Sequence, residues 1–140
     1  MSKGTEANFW NSIRSNLPKK CYATRIENKH GGGIPDVHMV WEGLPFWVEL
    51  KTTKNNTIKI SPNQIAWNMA YSARGGLNFY LVKSLSLNKL FLFRGDQGAS
   101  ILDQGLCDSA LLVCDSASQL FAALRPFLID HYMKVLPLSD

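Results

Sequence analysis

The chain is short of cysteine, of long apolar runs and, over its first two-thirds, of acidic residues. Each shortage narrows what it can be. Cys21, Cys107 and Cys114 are its only cysteines. An odd number without metal-type spacing argues against a disulfide framework and a zinc site, and reads as reduced thiols in an intracellular compartment. No apolar stretch approaches the roughly 18 residues that a membrane-spanning helix needs. The opening Met1-Ser2-Lys3-Gly4-Thr5-Glu6 has no apolar segment of the signal-peptide kind. A cytoplasmic chain with no membrane partner is therefore expected. Repeats and low-complexity tracts are missing too. With 140 residues, 46% of them hydrophobic, one globular domain over 1–140 is expected, its core at about 5–94 and a C-terminal extension at about 95–140.

The shortage of acids is local. Residues 1–94 hold 13 lysines and arginines against 5 acids, whereas residues 95–140 hold 2 against 6. A polyanion should meet the first two-thirds. Acids inside a phosphate-attracting surface weaken binding unless a cation bridges them to the phosphate. The few that stand there (Glu6, Glu27, Asp36, Glu42, Glu49) are accordingly the residues to place.

The spacing predicts a helix over Thr5 to Ser15, with Phe9, Trp10 and Ile13 packing and Thr5 as N-cap. A short strand follows over Cys21 to Glu27, and then a loop, Asn28-Lys29-His30-Gly31-Gly32-Gly33. Two strands after Pro35 form a hairpin closing near Glu42-Gly43-Leu44-Pro45. Thr52 to Ile60 reads as a polar, basic loop with an extended segment. Ser61-Pro62-Asn63-Gln64 opens a helix reaching about Ala73, with Ser61 as N-cap, Pro62 at the first helical position and Ile65, Met69 and Trp67 inward. Leu77 to Lys83 and Lys89 to Phe93 are strands, Gly95 to Gly105 is irregular, and Ala110 to Cys114 is a short strand. A long helix runs from Ser116 to Tyr132, capped by Asp115 or Ser116, with a kink expected at Pro126. The order is α-β-β-β-α-β with a β/α extension: an α/β fold, a mixed central sheet flanked by helices.

The hairpin carries the chemistry. Val37, Met39 and Trp41 alternate on its first strand and Phe46, Val48 and Leu50 on its second, so these six share the core face. Asp36, Glu49 and Lys51 then lie on the other face, with His38, Val40 and Trp47. A two-residue turn at Glu42-Gly43 pairs Trp41 with Leu44 and sets Asp36 opposite Glu49. A loop from Glu42 to Pro45 pairs Trp41 with Phe46 and sets Asp36 opposite Lys51. Both keep the three on one face; a three-residue loop would not. Facing carboxylates repel, and a bound divalent cation reverses the sign of that interaction. Two carboxylates and an ammonium on one patch are what metal-assisted phosphodiester cleavage requires.

These residues carry a resemblance. Gly33-Ile34-Pro35-Asp36, Phe46-Trp47-Val48-Glu49-Leu50-Lys51, Ile60-Ser61-Pro62-Asn63-Gln64, Trp67 and Gly76 together resemble the PD-(D/E)XK nuclease superfamily. The run is most similar to its VRR-NUC branch, and archaeal-type Holliday junction resolvases share the layout. The resemblance covers residues 5 to about 83. It implies a restriction-endonuclease-like fold and divides the site by role. Asp36 and Glu49 would bind metal with the carbonyl of Leu50, and Lys51 would be the catalytic lysine. Glu6 would be the acid of the first helix, Glu27 on a neighbouring strand being the alternative, and Gln64 the helix glutamine beside the site.

Oxygen-only ligands select a hard cation, Mg²⁺ or Mn²⁺. A lysine flanked by two acids suits an electrostatic role better than that of a general base. Lys29, His30, Lys54, Lys59 and Arg74 are candidate DNA-backbone contacts. His38 is either a structural histidine or a substrate contact. Trp10, Trp41, Trp47 and Trp67 read as core or interface residues rather than base-stacking platforms.

The expected activity is a Mg²⁺-dependent endodeoxyribonuclease. A short chain without a separate recognition domain favours DNA shape over sequence, hence a Holliday junction or another branched DNA. Junction cutting needs two sites related by two-fold symmetry and so predicts a homodimer. The apolar residues Leu111, Leu112, Val113, Leu120, Phe121, Leu124, Phe127 and Leu128 would supply its interface or complete the chain's own core. Alternatives are a restriction-type or nicking endonuclease, and a non-catalytic nucleic-acid-binding module on a nuclease fold.

Overall fold

A computed structural model describes residues 2–26, 32–107 and 109–135. Its elements are α1 (Ser2–Ser15), β1 (Cys21–Arg25), β2 (Val37–Trp41), β3 (Leu44–Thr53), α2 (Pro62–Ala73), β4 (Asn78–Ser84), β5 (Lys89–Arg94), a single 3₁₀ turn (Gly95–Gln97), α3 (Gly98–Gln104), β6 (Leu112–Cys114) and α4 (Ala117–Val135). The six strands form one sheet in sequence order. β3 and β4 are parallel, joined by the α2 crossover, and the other neighbours are antiparallel. The fold is thus α/β with a mixed sheet and flanking helices, as expected. Among the described residues no helix is long and apolar enough to cross a membrane.

Two cores cover the two faces of the sheet. On one face Phe9 and Ile13 of α1 and Leu120, Phe121, Leu124 and Leu128 of α4 bury against Val37, Met39, Trp41, Phe46, Val48 and Leu50. All six core-face positions read from the hairpin alternation are there. On the other face Ile101 of α3, Tyr80, Val82, Phe93 and the loop residues Ile58 and Ile60 form a smaller core, against which Ile65 of α2 packs. Glu42 and Gly43 close the hairpin at φ 50° and 84°. That is the left-handed pair a two-residue type I′ turn requires. Trp41 accordingly pairs with Leu44, and Val37 with Val48.

Several local expectations are corrected. α1 begins at Ser2, so Thr5 lies inside the helix and is not its N-cap. β1 ends at Arg25 and β3 continues to Thr53. The stretch from Gly95 to Gly105 is not irregular: it holds the 3₁₀ turn and α3. Its glycines signal tight packing there, since a Cβ on Gly98 would stand 2.6 Å from the Tyr80 hydroxyl. On α2, Met69 is 48% exposed and Asn68 is the inward residue. Asn68 is held by hydrogen bonds that an apolar pattern does not register. α4 continues through Pro126, and Ser116 caps it by accepting the Gln119 N–H at 3.1 Å. Leu120, Phe121, Leu124 and Leu128 complete the chain's own core, one of the two roles expected for the apolar tail, while Val113 and Phe127 are exposed. Glu27, Lys29 and His30 lie outside the described residues.

Candidate active site

The site arises where β2 stops and β3 does not. Trp47 N–H donates to the Leu77 carbonyl, and the Thr53 carbonyl accepts from Leu85. Odd-numbered residues of β3 therefore direct their main-chain groups toward β4, and Leu50, an even one, directs both its N–H and its C=O toward β2. Continuing the register from Val37–Val48 sets Asp36 opposite Glu49 and Pro35 opposite Leu50. Proline has no N–H to give, so the ladder ends there. The Asp36 side chain takes over instead: its Oδ2 accepts the Leu50 N–H at 2.8 Å. The Asp36 carbonyl holds β1 by accepting the Ile26 N–H at 2.7 Å. Pro35-Asp36 thus ends a strand, turns a carboxylate onto the neighbouring backbone and leaves the Leu50 carbonyl facing the same notch.

Glu49 and Lys51 point to the α2 face of β3, and Gln64 joins them. Its Nε2 donates to Glu49 Oε2 at 2.7 Å. Its Oε1 accepts from Lys51 Nζ and from the Ser61 N–H, both at 3.0 Å. Ser61 Oγ in turn accepts the Gln64 N–H at 3.1 Å, completing a capping box. One side chain therefore caps α2 and ties the helix to an acid and a base on the strand. Lys51 Nζ also stands 3.6 Å from Glu49 Oε2. Glu49 is only 2% exposed, and a buried carboxylate is tolerated because it is met by an ammonium and an amide N–H. Gly33, at φ +79°, lies so close to α2 that a Cβ there would meet the Asn63 carbonyl oxygen at 2.1 Å. The loop leading into Asp36 is thereby pressed against the start of that helix.

Glu6, Arg25, Ile26, Asp36, Glu49, Leu50, Lys51 and Gln64 line one open cavity of about 400 Å³. The structure thus brings Glu6, from α1, to the same cavity as the hairpin residues. Arg25 is a lining residue that the sequence reading missed. No sequence motif marks it; it is the β1–β2 register that sets it opposite Val37, one residue from Asp36. Its guanidinium lies 5.9 Å from the Trp10 ring centre. Lys54, Lys59 and Arg74 are exposed and line no part of this cavity.

Behind the site runs a buried polar chain. Asn68 donates to the Gln64 carbonyl at 2.8 Å. Asn78 Nδ2 donates to Asn68 Oδ1 at 2.8 Å, and Asn78 Oδ1 accepts from Ser72 at 2.7 Å. A Cβ on Gly95 would collide with the Asn78 amide. Tyr80, paired with Glu49 across the β3–β4 ladder, is wholly buried. Burial, and then the Glu49 carboxylate, push its hydroxyl far above the usual tyrosine range, while the Asn68 side chain pulls partly back.

Asp36, Glu49 and the Leu50 carbonyl offer only oxygens, a donor set that fits a hard divalent cation. Among the described residues no three His, Cys, Asp or Glu side chains form a ready cluster; one Asp36 oxygen is bonded to Leu50 and one Glu49 oxygen to Gln64. Such an ion would be held by two carboxylates and a main-chain oxygen, the remaining positions going to water and substrate.

No protein-family model matches the chain, and no curated protein matches it. Among solved structures it is similar to Archaeoglobus fulgidus Hjc, a Holliday junction resolvase from an archaeal hyperthermophile. The two share 11% sequence identity with a TM-score of 0.45, over 85% of this chain and 88% of that one.

Proposed function

We propose that this chain is a divalent-metal-dependent DNA endonuclease of the PD-(D/E)XK kind, hydrolysing phosphodiester bonds in branched or junction DNA as a homodimer. The observation that carries the reading is one cavity in which Asp36, Glu49, Lys51, Gln64 and the Leu50 main chain meet, within the basic two-thirds of the chain. Mg²⁺ or Mn²⁺, when bound, would supply positive charge to the phosphate and acidify a water. Asp36 and Glu49 would hold that charge in place. Lys51, kept near Glu49 by Gln64, offsets the negative charge that develops on the phosphate oxygens as water attacks phosphorus and the sugar oxygen departs. Glu6 and Arg25 stand at the same cavity, the first to complete the acidic set and the second to meet a phosphate.

The test is incubation of a supercoiled plasmid, a four-way junction and a flapped duplex with Mg²⁺, and then with EDTA. Symmetric metal-dependent nicks in the junction are expected, with a dimeric solution mass. Sequence-dependent cuts in plain duplex would mark a restriction-type enzyme, and binding without cutting in either metal a non-catalytic module. Asp36→Ala and Glu49→Ala should each abolish cleavage yet keep or tighten DNA binding, since each removes negative charge from the phosphate path. Loss of binding in both would contradict the assignment.

A further inference from the structure

Trp47, Trp67 and Tyr71 belong to neither core. They form a row of half-buried rings instead. The His38 ring lies 4.7 Å from Trp47. Trp47 meets Trp67 edge-to-face at 5.6 Å, and Trp67 stacks on Tyr71 at 5.0 Å with 13° between the planes. Of the four tryptophans expected in a core or an interface, Trp41 is core and Trp10 packs against that core, whereas Trp47 and Trp67 lie outside both cores. The row starts at the active site. Trp47 is two residues before Glu49 on the same strand face, and Trp67 is one helical turn beyond Gln64. It ends at an open cavity of about 300 Å³ between Trp67, Ala70, Tyr71 and Arg74. The exposed Arg74 guanidinium is held over the last turn of α2 by donating to the Ala70 carbonyl at 3.1 Å.

Resting on the nuclease reading, we propose that this row is a docking surface for unpaired nucleotides of the substrate strand, with bases lying against Trp67 and Tyr71 and the backbone beside Arg74. Sealing α2 onto the sheet accounts for Trp47. It does not account for two rings and a cation lining a cavity open to solvent. The chemistry fits nucleic acid: every base has a π-face, ring–base packing is indifferent to sequence, and single strands are bound by aromatic platforms set in basic surfaces. The rings are already braced by one another, so little order is lost on binding. From Gln64 to Arg74 the helix spans about 15 Å at 1.5 Å per residue, room for a few stacked nucleotides next to the scissile phosphate. Such a surface would favour a flap, gap or frayed junction arm beside the cut over continuous duplex.

The test is anisotropy of fluorescein-labelled oligothymidylate and of a labelled duplex, both in EDTA so that nothing is cleaved. Trp67→Ala and Tyr71→Ala should weaken oligothymidylate about 5- to 150-fold and leave the duplex unchanged, while Trp67→Phe retains most of the affinity. Unchanged oligothymidylate binding, or an equal loss for both probes, would overturn the proposal. Should the alanine variants unfold, tryptophan fluorescence decides: oligothymidylate should quench the parent protein, and Trp67→Phe should remove most of that quenching without removing binding. Undiminished quenching would overturn the assignment. Trp67-dependent binding with no cleavage of any DNA would sink the nuclease reading and keep the surface; normal cleavage with Trp67-independent binding would do the reverse.

Discussion

Gln64 does two jobs that one pair of substitutions separates. As the third residue of α2 it completes the capping box; as a bridge it donates to Glu49 and accepts from Lys51. Gln64→Glu keeps the first job, because glutamate serves a capping box as well as glutamine and its charge suits a helix N-terminus. It ruins the second, placing an oxygen where the Nε2 donor stood 2.7 Å from Glu49 Oε2. Gln64→Ala ruins both. Its cost is the return bond to Ser61, about 0.5–1 kcal/mol, plus two charge-assisted bonds at about 1.5–3 kcal/mol each. Water entering the open cavity replaces part of the latter, so a total loss of about 2–4 kcal/mol is expected. Urea midpoints would measure this, and nicking of a preferred DNA in Mg²⁺ would measure the site. A Glu49 or Lys51 displaced by about 1 Å costs on the order of 100-fold in rate. Gln64→Glu keeps the cap but loses the Glu49 bond and sets two carboxylates together, so it should lose about 1.5–3 kcal/mol and be at least as slow as Gln64→Ala. A Gln64→Glu protein as fast as the parent would show that the glutamine only caps the helix and that the bridge has no catalytic consequence.

Two further outcomes follow from the packing. Gly33→Ala would combine a strained φ of +79° with a collision against the Asn63 carbonyl; a destabilisation of about 2–4 kcal/mol is expected, with a larger fall in nicking than in the melt, and an unperturbed melt would mean the loop does not dock there. Burial pushes the Cys21 thiol up to about 11 from 9.0. The unfolded chain therefore loses this proton first as pH rises, and folding stability should fall between about pH 9 and 11 by on the order of 1 kcal/mol, discounted because water reaches part of the residue. In Cys21→Ala that segment of the urea-midpoint profile should flatten; an identical profile would refute the assignment.

What could be read without coordinates was whatever repeats with a period. The hairpin alternation placed Val37, Met39, Trp41, Phe46, Val48 and Leu50 on one face, and Ser61-Pro62 placed the start of α2, because both are local and backbone-driven. The turn stayed open between two loop lengths until Glu42 and Gly43 were seen with positive φ. Polar interiors were not legible. Asn68 faces inward through hydrogen bonds to Gln64 and Asn78, while the apolar Met69 beside it is exposed, and hydropathy inverts the two. α3 was missed because glycines read as loop, whereas Gly98 is where a helix closes on the Tyr80 hydroxyl. Trp47 and Trp67 read as core or interface because burial is the usual fate of tryptophan, and composition carries no sign that they pack on each other outside the two cores.

The acids of the notch explain why the sheet is broken where it is. Had β2 run one pair further, Leu50 would have exchanged both main-chain bonds with residue 35, and the carboxylates of Asp36 and Glu49 would have faced each other across an intact ladder, which is destabilising. Pro35 forbids that exchange, and the Asp36 carboxylate is turned aside to accept the Leu50 N–H. Glu49 is drawn the other way, toward Gln64 and Lys51. The two charges are separated by giving each its own donor, at the expense of one rung of the sheet. Both remain on the cavity, each with an oxygen committed and the Leu50 carbonyl turned to the same edge. The broken rung is thus replaced in part, the Leu50 N–H by a side-chain bond to Asp36, while the Leu50 carbonyl is left at the cavity edge.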